Sequence, residues 1–363
     1  MRVIAIVNQK GGCGKTTTTV NLAAALAADG ARVLVVDIDP QAHATLALGI
    51  DPEKVDENLY EVLAEPTGGE RLGAIVVGVG ERLDLAPSGI VLSALEQKLA
   101  SERVDARTER LSAALEALPA DRYDYALIDC PPNVGLLTFN ALRAAGEVIV
   151  PLETSRFAIH GVEKLLETIA LLSERLGHDL AVHVLTTLYD GRTRFSRETL
   201  AEIRETFKDM CFDTVIRLNV KLREAASRGR PIASFAPSAN GAADHAALAV
   251  EIEASPPVRR DAGLATGEHP IPRSQREVVV RFRDANAHDV RIAGDFNGWV
   301  PDKGVRSSIE SEGETKVWTK ILRLAPGTYQ YRYIVDGEWR EDPENPEAAS
   351  SSVGGRNSVL VVS

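Results

Sequence analysis

Hydrophobic positions over the first two-thirds of the chain gather into short runs, and the stretches between them repeat with helical spacing. Val3 to Val7, Arg32 to Asp39 (RVLVVDID), Leu83 to Ala86, Tyr125 to Ile128, Glu147 to Pro151, Ala181 to Leu188 and Thr214 to Ile216 read as strands. Asn21 to Ala28, Gly161 to Leu176 and Arg197 to Phe207 read as helices. Strand and helix in alternation predict an α/β fold, with a mostly parallel sheet covered by helices on both faces.

The pattern changes near residue 254. Residues 255–275 hold Pro256, Pro257, Pro270 and Pro272 among mixed charges, without helical or strand period, and read as a linker. Beyond Gln275 short strands follow at Val278 to Phe282, Val290 to Gly294, Thr315 to Leu324, Thr328 to Val335 and Asn357 to Val362, with turn residues between them. That spacing predicts a small all-β, immunoglobulin-like sandwich. The expected organisation is therefore an α/β domain over 1–254, a linker over 255–275 and a β-sandwich over 276–363.

Composition agrees. At 363 residues the chain is too long for one average domain, and 44% hydrophobic with 26% charged residues is ordinary for a soluble globular protein. The first residues run straight into an apolar strand without a basic, apolar, cleavable leader pattern. No stretch approaches the ~18 apolar residues that span a bilayer, so a cytoplasmic protein with no membrane partner is expected. Cys13, Cys130 and Cys211 are too few and too scattered for a disulfide framework or a tetrahedral metal site. Cys13 reads as a small packing residue, with a low-pKa, redox-sensitive thiol as the alternative. Net charge is −11, from 41 basic and 52 acidic residues, so any contact with nucleic acid has to come from a local patch.

The densest chemistry lies in Lys10 to Thr17, KGGCGKTT, between the first strand and the first helix. Gly11, Gly12 and Gly14 let backbone N–H groups around Cys13 turn inward on an anion, and the following helix adds its dipole. Lys15 is placed to reach terminal phosphates, Thr16 to hold magnesium, and Thr17 to complete the loop. The ordinary pattern G-x-x-x-x-G-K-[ST] is not met, because Gln9 occupies its first glycine position. An additional lysine, Lys10, stands at the loop mouth instead. A lysine there can reach a nucleotide held by a facing subunit and add charge in phosphoryl transfer.

This segment resembles the deviant Walker A box of the ParA/MinD family of dimerising P-loop ATPases. The resemblance covers about residues 1–255 and is supported by the order of the later acids. It implies that Asp37 supports the magnesium shell, that Asp39 orients the attacking water, and that Asp129, in Asp129-Cys130-Pro131-Pro132, is the Walker B acid. It also implies ATP and Mg2+ as cofactors, Lys10, Lys15 and Asp39 as the catalytic set, and an ATP-dependent homodimer. A basic segment, VIRLNVKLREAASRGRPI from Val215, carries Arg217, Lys221, Arg223, Arg228 and Arg230, with Arg192 upstream. Both stretches resemble the part of partition ATPases that meets non-specific DNA. The chain departs from the family in having Arg217-Leu218 where proline then arginine is usual, and Ala226 where a proline is usual. The alternative is a solvated helix face balanced by Glu224. Phosphate contact of this kind is salt-sensitive and blind to sequence.

All three tryptophans, Trp299, Trp318 and Trp339, fall in the last quarter of the chain. Trp318 alternates with polar neighbours and reads as core. Trp299 and Trp339 sit beside turns, where an exposed aromatic face is costly unless something flat lies on it. GDFNGW with QYRYIVDGEWREDP resembles the glycogen-binding module of AMP-activated kinase beta subunits, the family 48 carbohydrate-binding modules. The resemblance places glucan contacts at Trp299, Arg332 in place of the usual lysine, Trp339, Val353 and Asn357, while Gly355 removes one possible hydrogen bond. No carboxylate pair suggests glycoside hydrolysis. Together the two resemblances imply a partition or positioning ATPase, cytoplasmic or nucleoid-associated, whose terminal module is an adaptor for α-glucan, glycogen or a partner, with an unidentified cargo or ParB-like activator. The alternatives are a glucan-sensing regulatory ATPase and a protein-interaction scaffold without sugar binding.

Overall fold

The computed structural model describes residues 1–65, 71–176, 180–255, 276–297, 299, 301–302, 305–312, 315–324, 327–345, 347–350 and 356–362. The expected linker therefore falls almost entirely outside the described residues, as do Val353 and Gly355. The chain divides into two compact units, Met1–Ala262 and Gly263–Ser363.

The first unit is built on a seven-stranded sheet. Its strands are β1 (Arg2–Ile6), β2 (Val33–Asp37), β3 (Val77–Gly80), β4 (Leu83–Ala86), β5 (Tyr125–Asp129), β6 (Glu147–Glu153) and β7 (Ala181–Thr187), in the order β3-β4-β2-β5-β1-β6-β7. All neighbours run parallel except β3, which pairs antiparallel with β4. Successive residues of each strand alternate between two cores. Val3, Ala5, Leu34, Val36, Ala126 and Ile128 pack on one face, and Ile4, Ile6, Val33, Val35 and Leu127 on the other. Burial on both faces is the reason the strands read as unbroken apolar runs.

Parallel pairing also sets the positions of the chemistry. Ile6, the last residue of β1, lies opposite Asp129, and Asp129 lies opposite Asp37. The loop after β1 therefore starts beside two carboxylates at the carboxyl edge of the sheet, where open α/β sheets form their crevice.

Two details differ from the expected strands. Thr214 to Ile216 forms no strand: Ile216 donates to Thr186 O at 2.8 Å and Tyr189 donates to Ile216 O at 3.1 Å, with isolated bridges on either side, Val184 to Cys211 and Tyr189 to Arg217. Leu188, at φ 53°, turns the end of β7 out of extended conformation, so a ladder cannot continue there. Strand β3 escaped notice because its sequence, VGVG, has little apolar content to signal it.

The second unit contains two antiparallel sheets. One is β10 (Arg306–Glu312), β11 (Thr315–Leu324) and β8 (Arg276–Asp284). The other joins β13 (Glu338–Arg340), β12 (Gly327–Val335), β15 (Arg356–Val362) and β14 (Ala348–Ser350), with β9 (Val290–Gly294) also pairing with β12. Phe282, Ile292, Trp318, Leu322, Tyr331 and Tyr333 form the core. Trp318 is buried, as its alternating context implied. Strand β10, RSSIESE, lacks an apolar period because it lies at a sheet edge, with Ser307, Ser308 and Ile309 exposed. Among the described residues, no helix is long and apolar enough to cross a membrane.

Close backbone approach between the turns at Gly49 and Gly229 depends on two glycines that face each other. A Cβ on Gly49 would lie 2.9 Å from Gly229 O, and one on Gly229 would lie 2.6 Å from Gly49 Cα; both residues have positive φ. Neither neighbour is a side chain that could move aside. Gly229→Ala is expected to lower stability by about 1–3 kcal/mol through clash and left-handed strain, read as a lowered denaturation midpoint of the first unit with an unchanged slope.

Candidate functional site

The first helix runs from Lys15 to Ala28, and Gly14 caps it at φ 99°, ψ 19°, a left-handed conformation open to glycine. Gly11 and Gly12 have nothing within 4 Å of a notional Cβ. Their open side leaves the loop's N–H groups accessible to an anion. The loop is braced from β7 by Thr187, whose hydroxyl donates to Cys13 O at 2.7 Å, and by Asn8, whose side chain bonds Pro151 O at 2.6 Å. Cys13 itself is buried, its Sγ donating to Lys10 O at 3.2 Å, and burial pushes its thiol up rather than down. That environment makes it a packing residue.

Lys15 is buried to 8% exposure at the helix start, with Nζ 3.3 Å from Lys10 O. The Thr16 hydroxyl donates to Asp129 Oδ2 at 2.7 Å, and Thr19, one turn further on, donates to Asp129 Oδ1 at 3.1 Å. Asp37 accepts from both the backbone N–H (2.8 Å) and the hydroxyl (2.7 Å) of Thr45. Asp37 and Asp129 are fully buried. Burial pushes both carboxyls well above the usual carboxylate range; the charge of Asp129 adds to this at Asp37, and that of Asp39 at Asp129. Asp39 hangs over the same edge, with its Oδ1 accepting from Gln41 N at 3.0 Å and its N–H donating to Asp37 Oδ1 at 3.2 Å.

A donor set of one hydroxyl and clustered buried carboxylates is hard and oxygen-only, which suits magnesium. Positive charge at this position would also relieve the crowding that raises the two carboxyls. The open glycines, the buried lysine and this cluster fit a magnesium–nucleotide pair, and the adjoining cavity of ≈ 780 Å³ is lined by Gly11, Lys15, Thr16, Asp39, Leu188 and Leu218 among others.

Lys10 does not lie over the loop. Its Nζ is paired with Glu153 Oε1 at the end of β6, at 2.5 Å. The six cations of the basic segments do not form one free surface either. Arg217 is held by the buried Asp244 (Nη2 to Oδ1, 2.5 Å), Arg192 by Asp190 (2.8 Å) and Lys221 by Glu224 (2.7 Å), while Arg230 donates to Ser234 O at 2.8 Å. Arg217 and Arg223 line the nucleotide-side cavity. Arg223 and Arg228 have no ion-pair partner among the described residues.

In the second unit the strand register collects the expected aromatic and polar positions on the outer face of the β12 sheet. Gln330 and Arg332 alternate outward along β12 while Tyr331 and Tyr333 point into the core. Trp339 lies opposite Ile334, and Ala293 opposite Arg332. The Trp299 and Trp339 rings are 6.2 Å apart between centroids and tilted by 43°, and Trp339 is 44% exposed. Arg332 Nη2 donates to Trp339 O at 3.0 Å. Asn357 is buried and donates to Gln330 Oε1 at 3.0 Å. The turn that delivers Trp299 is fixed by Asn297, whose Oδ1 accepts from Gly294 N at 2.9 Å. Only glycine fits at 294, because a Cβ there would lie 2.4 Å from Gln330 O.

Several residues around these sites escaped the sequence reading: Thr19, Thr45, Glu153, Thr187, Asp244 and Asp295. Of these, only Thr19 carried a signal, being three residues beyond Thr16 on the same helix face.

A family model described as an AAA domain matches residues 1–182, and one described as the glycogen recognition site of AMP-activated protein kinase matches residues 276–363. The chain is 42% identical over 255 residues to the sporulation initiation inhibitor protein Soj of Bacillus subtilis (strain 168), covering 70% of this chain and 99% of Soj. It is 40% identical over 256 residues to the chromosome partitioning protein ParA of Caulobacter vibrioides (strain NA1000 / CB15N), covering 69% of this chain and 94% of that protein. Among solved structures, cobyrinic acid a,c-diamide synthase from Mycobacterium smegmatis with bound ADP and magnesium matches with TM-score 0.59 at 35% identity, over 69% of this chain and 93% of that one. The septum site-determining protein MinD from Pyrococcus horikoshii OT3, complexed with Mg-ADP, matches with TM-score 0.56 at 26% identity, over 70% and 96%. Matched along nearly the full length of Soj and ParA, the chain belongs to the ParA/MinD family of P-loop ATPases, and its C-terminal segment matches the glycogen-recognition model.

Proposed function

We propose that the protein is a dimerising ATPase that attaches to non-specific DNA in its ATP state and carries cargo through an α-glucan-binding C-terminal module. The observation that carries the reading is that Lys15, Thr16 and Asp39 line one cavity at the carboxyl edge of the sheet, with Asp129 buried behind Thr16 and hydrogen-bonded to it, and Asp37 opposite Asp129 on the next strand. ATP is the nucleotide this reading assigns to that cavity. Magnesium, held by Thr16, Asp37 and Asp129, would supply positive charge to the phosphate oxygens. Lys15 and the N–H groups of Gly11 to Thr17 bind and orient the phosphates. Asp39, whose carboxylate is anchored through Gln41 N, orients the attacking water. Lys10 serves the facing subunit's nucleotide and has to leave Glu153 to do so.

Dimerisation would join two weak basic patches into one surface, raising DNA affinity through effective concentration without new contacts. A cytoplasmic, nucleoid-associated location follows from that attachment. The tilted Trp299 and Trp339 rings with Arg332 and Asn357 offer an apolar platform edged by donors, which suits the C–H face and hydroxyl rim of a sugar. An unidentified ParB-like activator or cargo completes the cycle.

Lys15→Ala is expected to abolish ATP turnover, and Asp39→Ala to reduce it by about 10²-fold or more while leaving an ATP-bound dimer, checked by phosphate release and by size-exclusion with light scattering. Normal turnover in both variants would sink the assignment of the site. Lys221→Glu with Arg228→Glu should weaken ATP-dependent DNA binding equally on unrelated sequences and flatten its salt dependence by about 0.9 in log–log slope for each phosphate no longer neutralised; sequence-dependent losses would speak against a phosphate-only contact. Co-sedimentation with insoluble α-glucan tests the module. Wild-type protein should pellet and the Trp299→Ala/Trp339→Ala variant should not, whereas absence of wild-type binding leaves the module as a protein dock.

A further inference from the structure

We propose that Asp295 is a positioning residue that fixes the indole of Trp299 on the outer sheet face before sugar arrives; this rests on the glucan-binding reading of that face. Asp295 lies in the one-turn helix Asp295–Asn297 that follows β9. One carboxylate oxygen, Oδ1, accepts the indole N–H of Trp299 at 3.1 Å. The other, Oδ2, accepts the backbone N–H of Gln330 on β12 at 2.7 Å. Gln330 in turn accepts from Asn357 through its side-chain Oε1 at 3.0 Å. Trp299 is therefore connected to Asn357 by hydrogen bonds through Asp295 and through the backbone and side chain of Gln330, which link two of the expected sugar contacts that stand 58 positions apart in sequence.

Trp299 needs such a tie. Its backbone sits at φ 62°, a left-handed conformation that a bulky residue seldom adopts. Its backbone N–H is held by Gly294 O at 2.9 Å, which fixes the main chain but leaves the ring free to rotate about its own side-chain bonds. The bond to Asp295 fixes the ring as well. An aromatic platform ordered in advance loses less side-chain freedom when a ligand stacks on it. A carboxylate is the side chain this geometry asks for, because both groups facing it are donors. An asparagine there offers one oxygen and one NH2, so one of the two donors loses its partner.

The test is calorimetric titration of the full-length protein with maltoheptaose, run as a double-mutant cycle over Asp295→Asn and Trp299→Phe. Phenylalanine keeps a stacking ring and removes the N–H. Asp295→Asn is expected to weaken binding about three- to tenfold in the wild-type background and to have no further effect in the Trp299→Phe background. The Trp299 indole 15N–1H resonance, identified by its loss in Trp299→Phe, should shift and exchange faster with solvent in Asp295→Asn, a change that a merely structural role would not confine to this one resonance. Equal losses in both backgrounds, or an unmoved indole resonance, overturn the positioning role. Wild-type binding that is unaffected by Asp295→Asn overturns it while leaving the glucan reading intact. Absence of wild-type binding overturns the glucan reading, and this proposal with it. Should Asp295→Asn unfold the module, Trp299→Phe alone decides: binding equal to wild type shows that the indole N–H positions nothing.

Discussion

Two carboxylates buried side by side at the carboxyl edge of an apolar sheet are the constraint to which the rest of the first unit answers. Asp37 and Asp129 are opposite each other on neighbouring parallel strands and have no exposure to water. Left alone, such a pair resists ionisation through desolvation and mutual repulsion. The surrounding sequence supplies donors to each. Thr16 and Thr19 both reach Asp129 because the helix starts at Lys15, which sets the two hydroxyls a turn apart on the side facing β5. Thr45 closes on Asp37 because the chain turns back after Asp39 into a short helix. These neutral donors soften the crowding without removing it. A divalent cation bound at this edge, as proposed above, would remove it.

The second unit solves a different problem, that of keeping aromatic rings at a surface. Tyr331 and Tyr333 are carried inward on β12, so Gln330, Arg332 and Ile334 are carried outward by the period of two. Trp339, on the three-residue β13, lies opposite Ile334 and covers it. Trp299 comes from the other side on a turn that requires Gly294, because backbone atoms of β12 occupy the space a side chain would need. The rings meet at 6.2 Å and 43° as a result of strand register and one tight turn. Asp295 accepts the indole N–H of Trp299, and Arg332 donates to the backbone carbonyl of Trp339.

Much of this was legible in the sequence, and the boundary of legibility is physical. Strands buried on both faces announce themselves as apolar runs, so β1, β2, β4, β5, β6 and β7 were read close to their observed ends. The phosphate loop was legible because cradling an anion calls for glycines, a lysine and a hydroxyl at fixed short spacing, whereas Asp37, Asp39 and Asp129, distant from it in sequence, were legible only through the family resemblance. Strand β10 was not, because a Ser-rich edge strand has no apolar period to detect, and Thr214 to Ile216 misled because an apolar triplet can cross a strand end without pairing along it. The partners that orient the site were invisible for a shared reason. Thr45, Glu153, Thr187, Asp244 and Asp295 act through hydrogen bonds to residues that only the fold brings near, and nothing in their own neighbourhoods marks them.

The basic segment shows what sequence counting omits. Five cations within 14 residues, Arg217 to Arg230, suggested a phosphate-binding surface, yet the fold assigns counter-charges to two of them, Arg217 and Lys221. Arg217 is tied to a carboxylate that is itself buried in the helix Asn240–Ala254, so releasing it would leave Asp244 uncompensated and is strongly disfavoured. The pairs of Lys221 with Glu224 and Arg192 with Asp190 are exposed and weak, so phosphate can compete for those cations at little cost. The positive field on one subunit is therefore smaller than its count of arginines implies, in a chain whose net charge is −11. If such a surface holds DNA, one copy is a poor binder, and firm attachment has to come from two copies brought together. That would place control of attachment with whatever governs dimerisation, which under the proposed function is nucleotide occupancy of the cavity between the phosphate loop and Leu218.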